Sequence, residues 1–296
     1  MGIISLNLLH PIALNQKMIN NLKIGVMQGR LLPKYKGRYQ AHPVGYWQEE
    51  FKIASLYNLY CIEFILDYNL FEKNPLMSDD GIEEIKRQVD EHGVKVESIC
   101  ADYFMNKSFH DIDIEIVKES EIVMCMLLKN CYNLNIKNIV IPCVDNSSLK
   151  TEDDIKRFVL NTQRIADLAE KYDINLSLET DLNPINFSQL LSELKSSKFT
   201  VNYDTGNSAS LGYNVTEEFS AYGNRITDIH IKDRKYEGGP VMLGEGNVDF
   251  ESFFDALKNI CYDGLIIMQA YRDDEGLEVF EKQLSFINKQ LIEFKN

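Results

Sequence analysis

The chain has 296 residues, a formal net charge of −14 and six cysteines, none in a Cys-x-x-Cys pair. That length supplies a core for one α/β barrel or two smaller domains, and the acidic balance argues against a broad nucleic-acid footprint, which needs clustered Lys and Arg. No apolar run reaches the roughly 18 residues of a membrane span, and the cysteines read as reduced thiols of a cytoplasmic protein.

Residues 1–16 are mildly apolar but lack a basic n-region and a clear small-residue cleavage site, so 1–21 reads as an N-terminal tail and not as a signal peptide. Lys23 to Gln28 is the first strand, followed by a loop rich in Gly, Pro and Tyr and a helix from about Trp47 to Asn58. Tyr60 to Leu66 is the second strand; Ser78 or Asp79 caps the next helix, which ends at His92-Gly93 with a glycine in the C′ position. Val94 to Cys100 is the third strand, then a loop and a long helix to about Leu134. Lys137 to Pro142 is the fourth strand, and Thr151 opens one helix running to Tyr172. Ile174 to Thr180, Phe199 to Tyr203, Ile226 to Ile231 and Leu265 to Ala270 are strands five to eight, separated by helices near 186–195, 214–223 and 249–260. An amphipathic helix from Glu275 to Phe294 closes the chain. Strands alternating with helical segments imply parallel βαβ units, and eight of them in this length predict an α/β fold of one domain, a (β/α)8 TIM barrel over 22–296. The absence of Gly-x-Gly-x-x-Gly after the first strand removes a dinucleotide-binding alternative.

Four segments stand where late strands give way to loops: Ser177-Leu178-Glu179-Thr180, Tyr203-Asp204-Thr205-Gly206-Asn207, Ile229-His230-Ile231-Lys232-Asp233 and Met268-Gln269-Ala270-Tyr271. Functional groups of a (β/α)8 barrel collect at the C-terminal strand ends, and successive strands bring such groups to one side of the mouth. Glu179, Asp204, His230 and Gln269 are therefore expected to converge. Two carboxylates, an imidazole and an amide oxygen suit a divalent ion, Mn²⁺ or Mg²⁺ first, with Co²⁺ or Zn²⁺ as alternatives. Around them stand Gln28 and Arg30 after strand one, Glu63 at strand two, Asp102 after strand three, and Asn207, Lys232, Arg234, Glu245 and Arg272 farther on. All are candidate substrate-binding residues, with Lys232, Arg234 and Arg272 suited to a phosphate or carboxylate. Trp47 and Tyr103 are candidates to stack on a sugar face, and the loop holding Tyr35, Tyr39 and His42 is a candidate lid.

These segments, together with Leu243-Gly244-Glu245-Gly246, resemble the xylose isomerase-like barrel superfamily of sugar isomerases, ketose 3-epimerases, hydroxypyruvate isomerases, inosose dehydratases and endonuclease IV. The resemblance runs from about Leu22 to the end of the chain. The N-terminal run Gly25 to Pro33, with Tyr39, Gln40 and Trp47, is similar to an uncharacterised branch of that superfamily. The resemblance implies metal ligation by Glu179, Asp204 and His230; where the epimerases have a second Glu this chain has Gln269, and Asn207 stands where a substrate-touching His is usual. It also implies a metal-dependent sugar or sugar-phosphate isomerase or epimerase that works through an enediolate, with Glu179 as base. The alternatives are a metal-dependent sugar dehydratase and a catalytically degenerate sugar-binding barrel. Gln269 cannot act as a second base, which favours aldose–ketose isomerisation or dehydration over two-base 3-epimerisation. Abasic-site DNA repair fits badly, because the chain has five histidines and an acidic balance. The expected partner is a small sugar or sugar phosphate, with no nucleic acid and no membrane; a homo-oligomer is compatible with all of this.

Overall fold

The structure is a computed structural model that describes residues 22–294; the expected tail at 1–21 lies outside the described residues. The strands are β1 (Lys23–Met27), β2 (Cys61–Ile65), β3 (Ser98–Cys100), β4 (Asn138–Cys143), β5 (Asn175–Thr180), β6 (Phe199–Asp204), β7 (Ile226–Ile231), a hairpin of β8 (Asp233–Arg234) with β9 (Pro240–Val241), and β10 (Leu265–Met268). Eight of them close a parallel barrel in the order β1-β10-β7-β6-β5-β4-β3-β2. Neighbouring strands follow one another in the chain except at the closing pair β1 and β10 and across the β8–β9 hairpin, which interrupts the passage from β7 to β10. The expected single-domain (β/α)8 barrel is the observed fold. Among the described residues no helix is long and apolar enough to cross a membrane.

The helices surround the barrel: α1 (Glu49–Leu56), α2 (Asp79–His92), α3 (Tyr103–Asn106), α4 (Ile114–Asn133), α5 (Glu152–Asn161), α6 (Gln163–Tyr172), α7 (Pro184–Glu193), α8 (Thr205–Leu211), α9 (Val215–Tyr222), α10 (Phe250–Asn259) and α11 (Leu277–Phe294). Local chemistry sets many of their ends. Ser78 caps α2, whose C-cap Gly93 has φ 70°, and Asp249 caps α10. Thr151 and Asp154 form a reciprocal capping box on α5. The single helix expected from Thr151 to Tyr172 is instead two that meet at buried Thr162, whose hydroxyl joins its own N–H on the Phe158 carbonyl, at 2.8 and 3.0 Å, an arrangement that bends a helix. The third strand is shorter than expected: of 94–97, only Lys95 bridges to Cys61. The Asp204-Thr205-Gly206-Asn207 segment, which alone has the composition of a turn, opens α8 directly, with the Asp204 side chain as N-cap.

Side chains alternate across each strand, so the barrel has an inner and an outer face. On β2, Ile62 and Phe64 join the core beneath the helices, while Cys61 and Ile65 belong to a separate inner cluster with Met27, Cys100, Val140, Leu265 and Ile267. That inner cluster draws on β1, β2, β3, β4 and β10 and fills one half of the interior with apolar groups. The other half is polar. Ser177, Thr200 and Thr227 link their hydroxyls in a triangle with sides of 3.0, 3.0 and 2.6 Å. Glu179 on β5, Asn202 and Asp204 on β6, and Asp228 and His230 on β7 share the inner face with them, two residues apart along β5 and β6, while on β7 a register shift against β6 lets consecutive Thr227 and Asp228 both join the group. The strands themselves thus place a hydrophilic floor under one side of the mouth.

The Leu243-Gly244-Glu245-Gly246 motif closes that side from above. Fully buried Asp233 accepts from the backbone N–H groups of Gly244 at 2.9 Å, Gly246 at 2.8 Å and Val248 at 3.1 Å. Gly244 turns with φ 87°, and a Cβ on Gly246 would lie 1.9 Å from Asp233 Oδ1. The glycines therefore serve loop closure. Asp233→Ala is expected to lower stability by about 2–4 kcal/mol in urea denaturation, because three backbone donors lose one buried charged acceptor. Gly246→Ala should fall in the same range by forcing the same carboxylate aside.

Candidate active site and metal centre

His230 lies at the centre of the polar half and is fully buried. Its Nε2 is 2.7 Å from Glu63 Oε1 across the barrel. Its Nδ1 is 3.0 Å from Asn202 Nδ2 and 3.3 Å from Glu179 Oε2. Asn202 Nδ2 also donates to Glu179 Oε2 at 3.1 Å, which makes it the donor toward His230 as well. Protonated, the ring faces Glu63 through Nε2–H and Glu179 through Nδ1–H; with the Nδ1 proton lost, Glu63 still holds Nε2–H and the Nδ1 lone pair is free, the carboxylate–imidazole arrangement that prepares a histidine for a metal. Burial alone lowers the basicity of this ring, but the Glu63 and Glu179 carboxylates outweigh it and hold His230 well above the usual imidazole range.

Glu63 is itself supported from below. Ser98 Oγ lies 2.5 Å from both Glu63 Oε2 and Asp228 Oδ2. One hydroxyl proton cannot serve both carboxylates, so one of them carries a proton of its own. Burial, followed by the charge of Glu63, pushes Asp228 well above the carboxylate range. Asp228 thus donates to Ser98, Ser98 donates to Glu63, and Glu63 accepts from His230.

Glu179 behaves differently. Burial would raise its pKa, but the bond and charge of His230, the charge of Lys232 and the bond from Asn202 lower it, which leaves a carboxylate. Asn207 Nδ2 donates to its Oε1 at 2.6 Å, and Arg234 Nη1 donates to Asn207 Oδ1 at 2.8 Å. Asp204 accepts from the Asn207 backbone through Oδ1 at 2.8 Å. Its buried Oδ2 lies 2.6 Å from Lys232 Nζ without an aligned hydrogen bond. One ligand atom each from Glu179, Asp204 and His230 falls within 4.8 Å of the others. Two carboxylates, an inward imidazole nitrogen and a buried carboxylate oxygen lacking a directed donor fit a divalent cation.

Above this group opens a cavity of about 370 Å³. Seven residues expected at the site line it: Arg30, Asp102, Glu179, Asn207, Lys232, Arg234 and Gln269. Gln269 Oε1 accepts from Lys232 Nζ at 2.8 Å, and its Nε2 donates to Gln40 Oε1 at 3.2 Å. Gln40 also accepts from Arg30 Nη2 at 3.1 Å and donates to Asp102 Oδ2 at 2.8 Å, so one glutamine joins β1, β3 and β10 across the mouth. Four of the residues expected to bind substrate, Gln28, Glu63, Glu245 and Arg272, do not line the cavity. Gln28 Oε1 is taken by His42 Nδ1 and the Ile65 amide. Arg272 is buried and donates to the carbonyls of Gly29, Leu32 and Asp273, tying loops together instead of meeting an anion. Glu245 points into solvent, because Asp233 fixes the backbone on either side of it. Glu63 lies beneath His230 and acts on it, not on the cavity. Trp47 and Tyr103 are buried in the outer core, Trp47 against Phe51 and Phe64.

Sequence reading missed Asn202, Gln40 and Asp228. Asn202 and Asp228 were open to discovery, since each stands two residues before a ligand on the same strand face. Gln40 entered the sequence reading only through the resemblance of its loop and had no strand-face signal, since only the barrel's closure brings it to Gln269.

Asp102 has the cavity's most displaced carboxyl. Burial raises it from 3.8 to about 6, against the lowering effect of bonds from Gln40 and Cys100. The folded chain then binds this proton more tightly than the unfolded chain. The stability tied to it is fully present below about pH 4 and is lost as pH rises through about 6. Asp102 keeps partial exposure, which limits the effect to about 1–2 kcal/mol. Denaturation of Asp102→Asn beside the wild type should show the variant gaining relative stability by that amount between pH 4 and pH 6.5.

Comparison with known proteins places this geometry. Residues 51–290 match the family model described as xylose isomerase-like TIM barrel. The chain is 26% identical over 247 residues to a putative L-ribulose-5-phosphate 3-epimerase of Haemophilus influenzae, covering 77% of this chain and 84% of that protein. Among solved structures it is similar to D-allulose 3-epimerase from Methylomonas sp. in complex with D-allulose, with TM-score 0.71, 19% identity and coverage of 91% and 97%. It is also similar to the IolI protein with a bound zinc atom, with TM-score 0.73, 16% identity and coverage of 92% and 99%. The chain belongs to the xylose isomerase-like TIM-barrel family, whose relatives here are sugar epimerases and isomerases.

Proposed function

We propose that the chain is a divalent-metal-dependent isomerase of a sugar or sugar phosphate, with Glu179, Asp204 and His230 holding the ion and Glu179 as the base. The observation that carries this reading is the convergence of those three ligand atoms within 4.8 Å of one another, with Glu179 among them lining the cavity. A bound divalent ion would supply Lewis-acid stabilisation of the negative charge that develops on substrate oxygen. Glu179 is ionised and lines the cavity, so it is placed to take a proton from the carbon beside a carbonyl. Asn202 and Asn207 donate to its two oxygens and fix the direction of its carboxylate. Lys232 and Arg234 face the cavity and suit the anionic group of a sugar phosphate.

Gln269 lines the cavity as an amide and cannot exchange a proton at neutral pH. A 1,2-shift between aldose and ketose needs a base on one face alone, because Glu179 can return to the second carbon the proton it took from the first. Dehydration is the second reading. It also needs one base, together with an acid for the departing hydroxyl, and Asp102, raised to about 6 and lining the same cavity, offers such an acid.

The test is incubation with Mn²⁺ and a panel of pentoses, hexoses and their phosphates in D₂O. Deuterium should appear at the carbon next to the carbonyl, together with an isomeric sugar; loss of water from the product would instead mark dehydration. Glu179→Gln is expected to reduce the exchange rate by about 100-fold or more. Exchange that persists in this variant would remove Glu179 from the role of base.

A further inference from the structure

Lys232 is seated inside the ligand group, not beside it. Its Nζ is 2.6 Å from Asp204 Oδ2 and 2.8 Å from Gln269 Oε1, so it bridges two of the four groups expected to hold an ion. The base of the residue is clamped: Thr205 Oγ1 accepts from the Lys232 amide at 3.0 Å and donates to the Lys232 carbonyl at 2.6 Å. The stem lies against the first turn of α8, where a Cβ on Gly206 would come within 2.8 Å of Lys232 Cγ. Position 206 is thus empty of side chain where the lysine passes. The ammonium is largely covered, with 14% of the side chain exposed, and the same side chain lines the cavity.

We propose that Lys232 is an internal competitor for the divalent-cation site: its ammonium holds the corner between Asp204 and Gln269, and an ion enters only as that ammonium leaves Asp204 for the cavity. The inference rests on the metal reading above. Two cations cannot share one carboxylate oxygen at contact distance without strong repulsion. The lysine stem has rotatable bonds enough to move its charge into the cavity while the clamped backbone stays in place. Ion binding and the delivery of a cation to the substrate cavity are then a single event, which links metal loading to the recognition of an anionic substrate group.

The experiment is Mn²⁺ titration of the wild type, Lys232→Met, Lys232→Gln and Lys235→Met, followed by electron paramagnetic resonance and calorimetry, with thermal unfolding as the check on folding. Lys235 serves as the charge control, since its ammonium contacts the Glu245 carbonyl at an exposed position. Both Lys232 variants are expected to bind Mn²⁺ about tenfold or more tightly than wild type, while Lys235→Met should stay within about twofold because its charge is screened. Lys232→Gln keeps a donor for Gln269, so agreement between the two variants excludes a packing artefact of methionine. Equal or weaker Mn²⁺ binding by the Lys232 variants overturns the competitor role while leaving the metal reading intact. Absence of Mn²⁺ and Zn²⁺ binding in every protein overturns both.

Discussion

The contact between His230 and Glu63 governs the rest of the site. Both side chains are buried completely, and they meet at 2.7 Å across the inside of the barrel. A buried ionisable pair is tolerable only with further partners, since desolvation outweighs one ion pair of ordinary geometry. Those partners are what makes half the interior polar: Ser98 and Asp228 beneath Glu63, and Asn202 and Glu179 around the ring. The pair also sets the orientation of the imidazole, turning Nδ1 toward Glu179. Fold and site geometry share this constraint, because the residues that satisfy the buried charges are also those that aim the imidazole.

A second constraint is charge. Glu179 and Asp204 bring two carboxylates within ligand distance of each other at the floor of the mouth. Burial raises Asp204 and the charge of Glu179 adds to it, while Lys232 works against both. The site therefore contains a cation of its own, supplied by the chain two residues after a ligand. Gln269 fits this arrangement, since an amide oxygen accepts from an ammonium without adding a third negative charge to the group. The substitution of an amide for a carboxylate at this strand end and the inward lysine are two parts of one electrostatic arrangement.

Much of the site was legible in the strand ends. Glu179, Asp204 and His230 could be selected because each follows an apolar run and each belongs to a successive strand of a barrel whose mouth collects such ends. The same rule reached Lys232, Arg234, Asn207 and Asp102, which line the cavity. It failed for Arg272 and Gln28, which occupy equivalent positions along the chain but turn toward carbonyls, an amide and a histidine of the neighbouring loops. A strand end fixes where a residue stands and leaves open which partner its side chain finds. It also failed for Glu245, whose motif exists to cover Asp233.

The amino-acid sequence by itself determined the order of the eight barrel strands, the closed barrel and the face on which the candidate ligands lie, because periodicity two along a strand and capping at helix ends are local properties of the chain. The tertiary structure decided everything that depends on non-adjacent strands. Ring closure brought Glu63 to His230, 167 residues away, and Gln40 to Gln269, 229 residues away. It also decided that the apolar inner residues of β1 to β4 and β10 pack together, which left the polar ones to each other. Burial and charge at the floor of the mouth follow from that division, and neither is a property of any one segment.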